Sequence, residues 1–143
     1  MIPRTLLIAS GPFQKLSAQR VASAISRGLA SGGFPTDECP LEARADPQAD
    51  IRVLLDAAGF DERMRRARAV VVAEWSLQER TLAASPAFEI ATRARQAGVP
   101  AYALAARNGL SAFDARMLDL QAILEASSLR ALEAAARRLA GLL

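Results

Sequence analysis

At 143 residues the chain has the length of one domain, enough to bury about two-thirds of the surface its unfolded form would expose without any covalent staple. Its hydrophobic fraction of 52% is above the globular norm, yet no apolar run approaches the roughly 20 residues that a bilayer requires, which argues against membrane insertion. The net charge is only +3, histidine is absent and Cys39 is the sole cysteine, so an internal disulfide, a cysteine or histidine zinc site and every nucleophile that depends on an imidazole are excluded.

The isoelectric point near 10.0 comes from arginine, since Lys15 is the only lysine. The one dense basic cluster, Arg63, Arg65, Arg66 and Arg68, follows Asp61 and Glu62 and lacks interleaved aromatics that would stack on bases. A solvated helix end is expected there, and no nucleic-acid partner. The opening residues 1–9 hold one basic residue and a very short apolar stretch, which suits a first strand better than a signal peptide. A cytoplasmic location is the expectation.

In chain order, residues 5–10 read as a buried strand ending at Gly11 and Pro12. Ser17 then stands as an N-cap before Val21, Ala22, Ile25 and Leu29, which recur at helical spacing until Gly32 and Gly33 stop the helix. Residues 35–42 form a weak strand with a proline near each end, suited to a sheet edge. A junction follows at residues 45–48. Ile51, Leu54, Leu55 and Ala58 then give a short helix ending at Gly59, and residues 61–67 a further helical turn.

Residues 69–73, continuous and β-branched, predict a strand in the sheet centre with both faces covered. Pro86 suits the first turn of a helix that buries Ala87, Ile90, Ala91 and Ala94 and stops at Gly98. Residues 99–105 read as the next strand. Leu118, Leu120 and Ala122 alternate, so residues 118–124 read as a last strand, although their flanks look helical. Ser127 or Ser128 caps a final helix carrying Leu129, Leu132, Ala136, Leu139 and Leu143 on one stripe. The alternation predicts an α/β fold: a three-layer, Rossmann-like domain whose mostly parallel sheet has four or five strands and helices on both faces.

Such a sheet places its ligand crevice outside the C-terminal ends of the strands, here at residues 11–15, 74–78 and 106–109. Lys15 and Ser17 at the start of the first helix form a candidate small-anion site, which Arg107 and Asn108 could complete, though the latter two read equally as a turn. Glu74 is a candidate ligand or metal residue, against the plainer role of helix cap or surface ion pair. Trp75 could stack on an adenine, or fill a void or an interface.

Two separated blocks carry a family resemblance. The first is Ile8-Ala9-Ser10-Gly11-Pro12-Phe13-Gln14-Lys15-Leu16-Ser17-Ala18, continued by Val21-Ala22-Ser23-Ala24-Ile25-Ser26-Arg27-Gly28-Leu29. The second is Val70-Val71-Val72 followed by Ala73-Glu74-Trp75-Ser76-Leu77-Gln78-Glu79-Arg80-Thr81, then residues 82–91 and Gly98-Val99-Pro100-Ala101-Tyr102-Ala103-Leu104-Ala105-Ala106. These resemble the type I glycerate kinases, with their IAPDSFKGSLSA, VAEAIxxGL, GEGRxDxQT, LxGKAPxGVAxxA and GVPVIALAG motifs. The blocks are collinear and cover over half of the chain.

The resemblance implies a kinase that phosphorylates glycerate with ATP and magnesium, more than twice as long, in which an inserted second lobe interrupts this domain and the active site lies between the lobes. Here the halves join directly near residues 45–48, and the family's ADGGEGT segment has no equivalent. The Asp and Lys of DSFK fall on Gly11 and Gln14, the Arg and Asp of GEGRxD on Ser76 and Gln78, and the Lys of GKAP on Ser85. Ala73, Trp75, Ala84 and Ala106 carry side chains where the family has glycine, which narrows a backbone approach to phosphate. Glu74 and Thr81 match the family, and Lys15, one place along, stands near the missing lysine. Since phosphoryl transfer rests on positioning and on charge stabilisation by cations or metal, these losses imply a glycerate-kinase-like protein without kinase activity or a cofactor of its own, acting as a homodimer or by binding a small anion. The alternative is an active glycerate or related hydroxy-acid kinase using ATP and magnesium, with its second lobe supplied by another subunit.

Overall fold

The computed structural model describes residues 4–42, 50–79 and 85–143. The junction expected at residues 45–48 and the family-matching Thr81 lie outside the described residues.

The β-branched and leucine-rich runs form the middle of the sheet. Strand β1 (Thr5–Ser10) pairs with the edge strand β2 (Thr36–Pro40) on one side and with β3 (Ala67–Gln78) on the other. β3 pairs in turn with β4 (Ala101–Gly109), and β4 with β5 (Leu120–Glu125). All four pairings are parallel and the order is β2-β1-β3-β4-β5, so the weak second strand sits at an edge and the Val70–Val72 run at the centre, as the sequence predicts. Val70, Val71 and Val72 are at most 1% exposed, and full burial of such a side chain contributes about 1.5–3 kcal/mol.

Alternation along the strands divides the core in two. Leu7, Ala9, Val70 and Val72 face α2 (Ile51–Ala57), α3 (Phe60–Arg66) and α4 (Pro86–Ala97), which contribute Leu55, Phe60, Met64 and Ile90. Leu6, Ile8, Val71 and Leu104 face α1 (Ala18–Ser31) and α6 (Leu129–Ala140). The chain thus steps from β1 to β2 under one layer and returns from β2 to β3 under the other, as crossovers of a single hand require. Every longer helix begins at a side-chain cap: Ser17 accepts from Arg20 N, Ser85 from Phe88 N and Ser128 from Ala131 N. Gly98, at φ 71°, ends α4 in the left-handed conformation that glycine adopts without strain.

The outer layer of α2, α3 and α4 is tied by one guanidinium. Arg93, whose side chain is 13% exposed, reaches Asp56 at 2.9 Å, Asp61 at 3.0 Å and Glu89 at 3.1 Å. The opposite layer closes through small residues, with Gly28 of α1 and its C-cap Gly32 against Ala136 and Ala140 of α6.

Several boundaries differ from the sequence expectation: β2 is shorter than residues 35–42, β3 starts at Ala67 rather than at residue 69, and the last strand, expected at residues 118–124, runs from Leu120 to Glu125. β3 does not stop at Ala73 but continues to Gln78, and β4 starts at Ala101 and continues to Gly109. Residues 74–78 and 106–109, expected as loops, are therefore strand: Ser76, Leu77 and Gln78 pair with Arg107, Asn108 and Gly109. A short helix unforeseen from the sequence, α5 (Ala112–Met117), precedes β5 and starts with a reciprocal capping box between Ser111 and Asp114.

Candidate functional site

The strand order reverses direction between β1 and β3. The helix after β1 lies on one face and the helix after β3 on the other, so the crevice expected at a topological switch point falls between Ser10 and Ala73. In this chain the space is occupied. Beyond β1, Gly11 N–H donates to Ala73 O at 2.9 Å, closing the backbones together. Phe13 and Leu16 then exchange two backbone bonds of 2.9 Å in a tight turn, with Gln14 at φ 52° and Lys15 exposed at its tip. The Phe13 ring is 1% exposed and meets Trp75 edge to face, with centroids 5.7 Å apart and planes at 85°. Trp75 itself is half-buried.

The predicted site residues divide into three places. Lys15, Ser17 and Trp75 surround the turn between β1 and α1. Glu74, although adjacent to Trp75 in sequence, points to the opposite face of the sheet, where its carboxylate accepts the N–H of Ala87 at 3.0 Å in the first turn of α4. Burial pushes the Glu74 carboxyl up to about 7, partly opposed by the Ala87 bond. Arg107 and Asn108 are exposed at the end of β4; Asn108 N–H donates to Glu125 at 3.0 Å, and the Asn108 side chain accepts from Leu110 N–H at 3.1 Å. The fold thus joins Trp75 to the β1–α1 turn and separates both from Glu74.

The start of α1, the expected anion site, already faces an anion of the chain itself. Glu42, just past the end of β2, accepts from Gln19 N–H at 3.0 Å and from Ala18 N–H at 3.4 Å, while Ser17 takes Arg20 N–H. Lys15 makes no hydrogen bond or ion pair among the described residues. The role of Glu42 is not visible in the sequence, because it depends on β2 lying beside β1 and ending level with Ser10, which pairs with Pro40. The Phe13–Trp75 contact had a signal, an aromatic where the resembling family has glycine.

Glu74, the acid that matches the family, is turned into the start of α4, and among the described residues no three acidic or cysteine side chains converge. At the switch point Phe13 and Trp75 lie edge to face beside the ends of β1 and β3. A recess of about 210 Å³ lies elsewhere, between α3 and the second half of α4, lined by Asp61, Met64, Arg65, Arg93, Gln96 and Ala97. Because α4 starts beside Glu74 and runs back towards the strand starts, that recess belongs to the other end of the molecule. Among the described residues, no helix is long and apolar enough to cross a membrane.

Among solved structures the chain is similar to the diflavin flavoprotein A3 from Nostoc sp., with TM-score 0.53, 15% identity and coverage of 99% of this chain and 94% of that one. It is also similar to the NAD(P)H:quinone oxidoreductase from Methanothermobacter marburgensis, with TM-score 0.52, 15% identity and coverage of 97% and 98%. A 3-dehydroquinate dehydratase-like protein from Bifidobacterium longum gives TM-score 0.51, 11% identity and coverage of 99% and 98%. At these identities the likeness is one of fold alone. No curated protein matches the sequence. The glycerate kinase family model matches residues 13–143, which takes in the first motif block from Phe13 onwards, all of α1 and the whole of the second block, and corresponds to only part of the family. With nearly the whole chain matched and the motif blocks collinear on the same strands and helices, this chain belongs to the glycerate kinase family.

Proposed function

We propose that this member of the glycerate kinase family transfers no phosphate on its own and acts by association of its copies. The observation that carries this reading is the occupied switch point: Phe13 and Trp75 meet at 5.7 Å where the strand order would open a crevice. The surviving family acid supports it. Glu74 is engaged in capping α4, and the cations and carboxylates that would surround a transferring phosphoryl group are replaced by Gly11, Gln14, Ser76 and Gln78.

Association is favoured by apolar side chains that the fold leaves uncovered. Phe113 is 63% exposed and Met117 57%, one turn apart on α5, a helix with no buried residue of its own. A small anion at the start of α1 is the weaker reading, since Glu42 already takes those amides.

Two measurements test the proposal on the purified chain. A coupled assay of ADP release with glycerate, ATP and magnesium is expected to give no turnover above the blank. Size-exclusion chromatography with light scattering is expected to give a dimer at micromolar concentration. Turnover that disappears in Glu74→Gln and Lys15→Ala would establish the kinase alternative instead.

A further inference from the structure

Asp61, Met64 and Arg65 stand three and four residues apart on α3, and Arg93, Gln96 and Ala97 repeat that spacing on α4, so each helix turns one face to the recess of about 210 Å³ between them. Arg93 is the fixed point of its wall. Nε donates to Glu89 and Nη1 to Asp56 and Asp61, which leaves both N–H groups of Nη2 unused. Among the described residues no buried side-chain nitrogen or oxygen lacks a partner, so Nη2, which has none, meets solvent, and the recess is the space that Arg93 lines. Asp61 holds Arg93 through Oδ1, and its Oδ2 accepts no bond among the described residues. The side chains of Arg65 and Gln96 are exposed and bond to nothing among them either. A pinned donor, two free side-chain donors and a free carboxylate oxygen thus line one recess, with Met64, 3% exposed, beneath them.

We infer that this recess binds the zwitterion of a small apolar α-amino acid, with its carboxylate on Nη2 of Arg93 and the Arg65 guanidinium, its ammonium on Oδ2 of Asp61 and its side chain against Met64 and Ala97. The site is separate from the switch point and does not rest on the association reading. Charge selects the class of ligand. Asp56, Asp61 and Glu89 all reach Arg93, so even with Arg65 the acids outnumber the cations, and a phosphate or other dianion is repelled. A ligand that carries both signs is not. Spacing then selects the α-amino acid: Asp61 and Arg93 touch at 3.0 Å, so their unused oxygen and nitrogen lie side by side, and opposite charges held on one carbon span the two. The volume agrees, because pockets for drug-sized ligands begin at about 300 Å³ and this one is smaller.

Isothermal titration calorimetry of the purified chain with L-leucine tests the assignment, alongside glycine, 4-methylpentanoate and 3-methylbutylamine, which lack the side chain, the ammonium and the carboxylate in turn. Leucine is expected to bind at one site per chain at millimolar concentration or below, and each of the other three roughly tenfold more weakly or worse. Arg93 ties three helices together and is left in place. Arg65→Ala removes a side chain that bonds to nothing among the described residues, and Ala97→Phe fills the recess from its exposed rim without a change of charge; circular dichroism checks that both are folded. R65A is expected to weaken leucine binding roughly tenfold and A97F to abolish it, and R65A carries the test if A97F unfolds. Neither heat nor a rise in melting temperature with leucine at tens of millimolar overturns the inference. Equal affinity in wild type and R65A also overturns it, because the leucine would then sit elsewhere. Binding of 4-methylpentanoate as tight as that of leucine does so too, because Asp61 would then hold nothing.

Discussion

The carboxylate of Glu74, at the point where β3 outruns β1, accepts the backbone N–H of Ala87 at 3.0 Å and so joins the central strand to the first turn of α4. Two physical effects compete at that bond. The amide and the helix dipole favour the ionised carboxylate, and burial disfavours it. Burial wins, lifting the carboxyl from its ordinary 4.5 to about 7.

A pH dependence of stability follows. Between about 4.5 and about 7 the folded chain holds a proton on Glu74 that the unfolded chain has released, so stability falls as pH rises through that window and is level above it. Glu74→Gln keeps an acceptor for Ala87 without the charge. It is expected to unfold in urea at the same midpoint as wild type near pH 4 and to be more stable by about 3 kcal/mol at pH 8. A variant less stable than wild type at pH 8 would mean that the ionised carboxylate contributes more as a cap than its burial costs.

A second prediction concerns the contact of α1 with α6. A Cβ at Gly28 would stand 2.3 Å from Glu133 O and 2.6 Å from Ala136 Cβ, and one of these is backbone that cannot rotate away. Gly28→Ala gains about 1 kcal/mol of helix propensity but forces the helices apart, at a typical overpacking cost of about 1–3 kcal/mol or more. A net loss of about 2 kcal/mol in urea denaturation is expected. Gly33, at φ 91° with open space around it, resists Ala through backbone strain alone, so Gly33→Ala costs less than Gly28→Ala in the same experiment.

Much of this architecture is legible in the residues. The Val70–Val72 run reads as a central strand because no polar side chain interrupts it, and Ser17, Pro86 and Gly98 mark helix ends by chemistry that acts within one turn. What escapes a sequence reading depends on partners distant in the chain. Trp75-Ser76-Leu77-Gln78 lacks the composition of a buried strand and becomes strand because Arg107, Asn108 and Gly109 lie beside it. The short α5 announced itself only through Ser111 and Asp114, three residues apart, a weak signal without an apolar stripe. The candidate site was legible as three strand ends but not as an occupied space, since neither the turn at Phe13 nor the opposite headings of Glu74 and Trp75 can be inferred without the sheet.

If Phe13 and Trp75 fill the switch point, truncating one should leave a cavity rather than a working cleft. Trp75→Ala is expected to lower stability by about 2 kcal/mol, below the 3–5 kcal/mol typical of a fully buried Trp because the ring is half-exposed. Trp75 is the only tryptophan, so unfolding of the variant is followed by circular dichroism rather than by fluorescence. ADP release in the presence of glycerate should stay at the blank. Turnover that appears in Trp75→Ala would show that the ring blocks a site whose remaining residues are competent.

Glu42 offers the last prediction, because it separates an anion site that is absent from one that is covered. Its carboxylate accepts from Gln19 N–H at 3.0 Å and from Ala18 N–H at 3.4 Å, so it meets the donors and the dipole that would otherwise attract an external anion to α1. Glu42→Ala removes an exposed contact and is expected to cost about 1 kcal/mol, within the range of a lost N-terminal cap. The same change bares those amides beside Lys15. Sulfate at millimolar concentration is then expected to raise the melting temperature of Glu42→Ala by more than it raises that of wild type, with the difference shrinking when Lys15→Ala is added. Equal shifts in wild type and Glu42→Ala would place no anion at the start of α1, and a larger shift in wild type would mean that Glu42 is not the group that covers it.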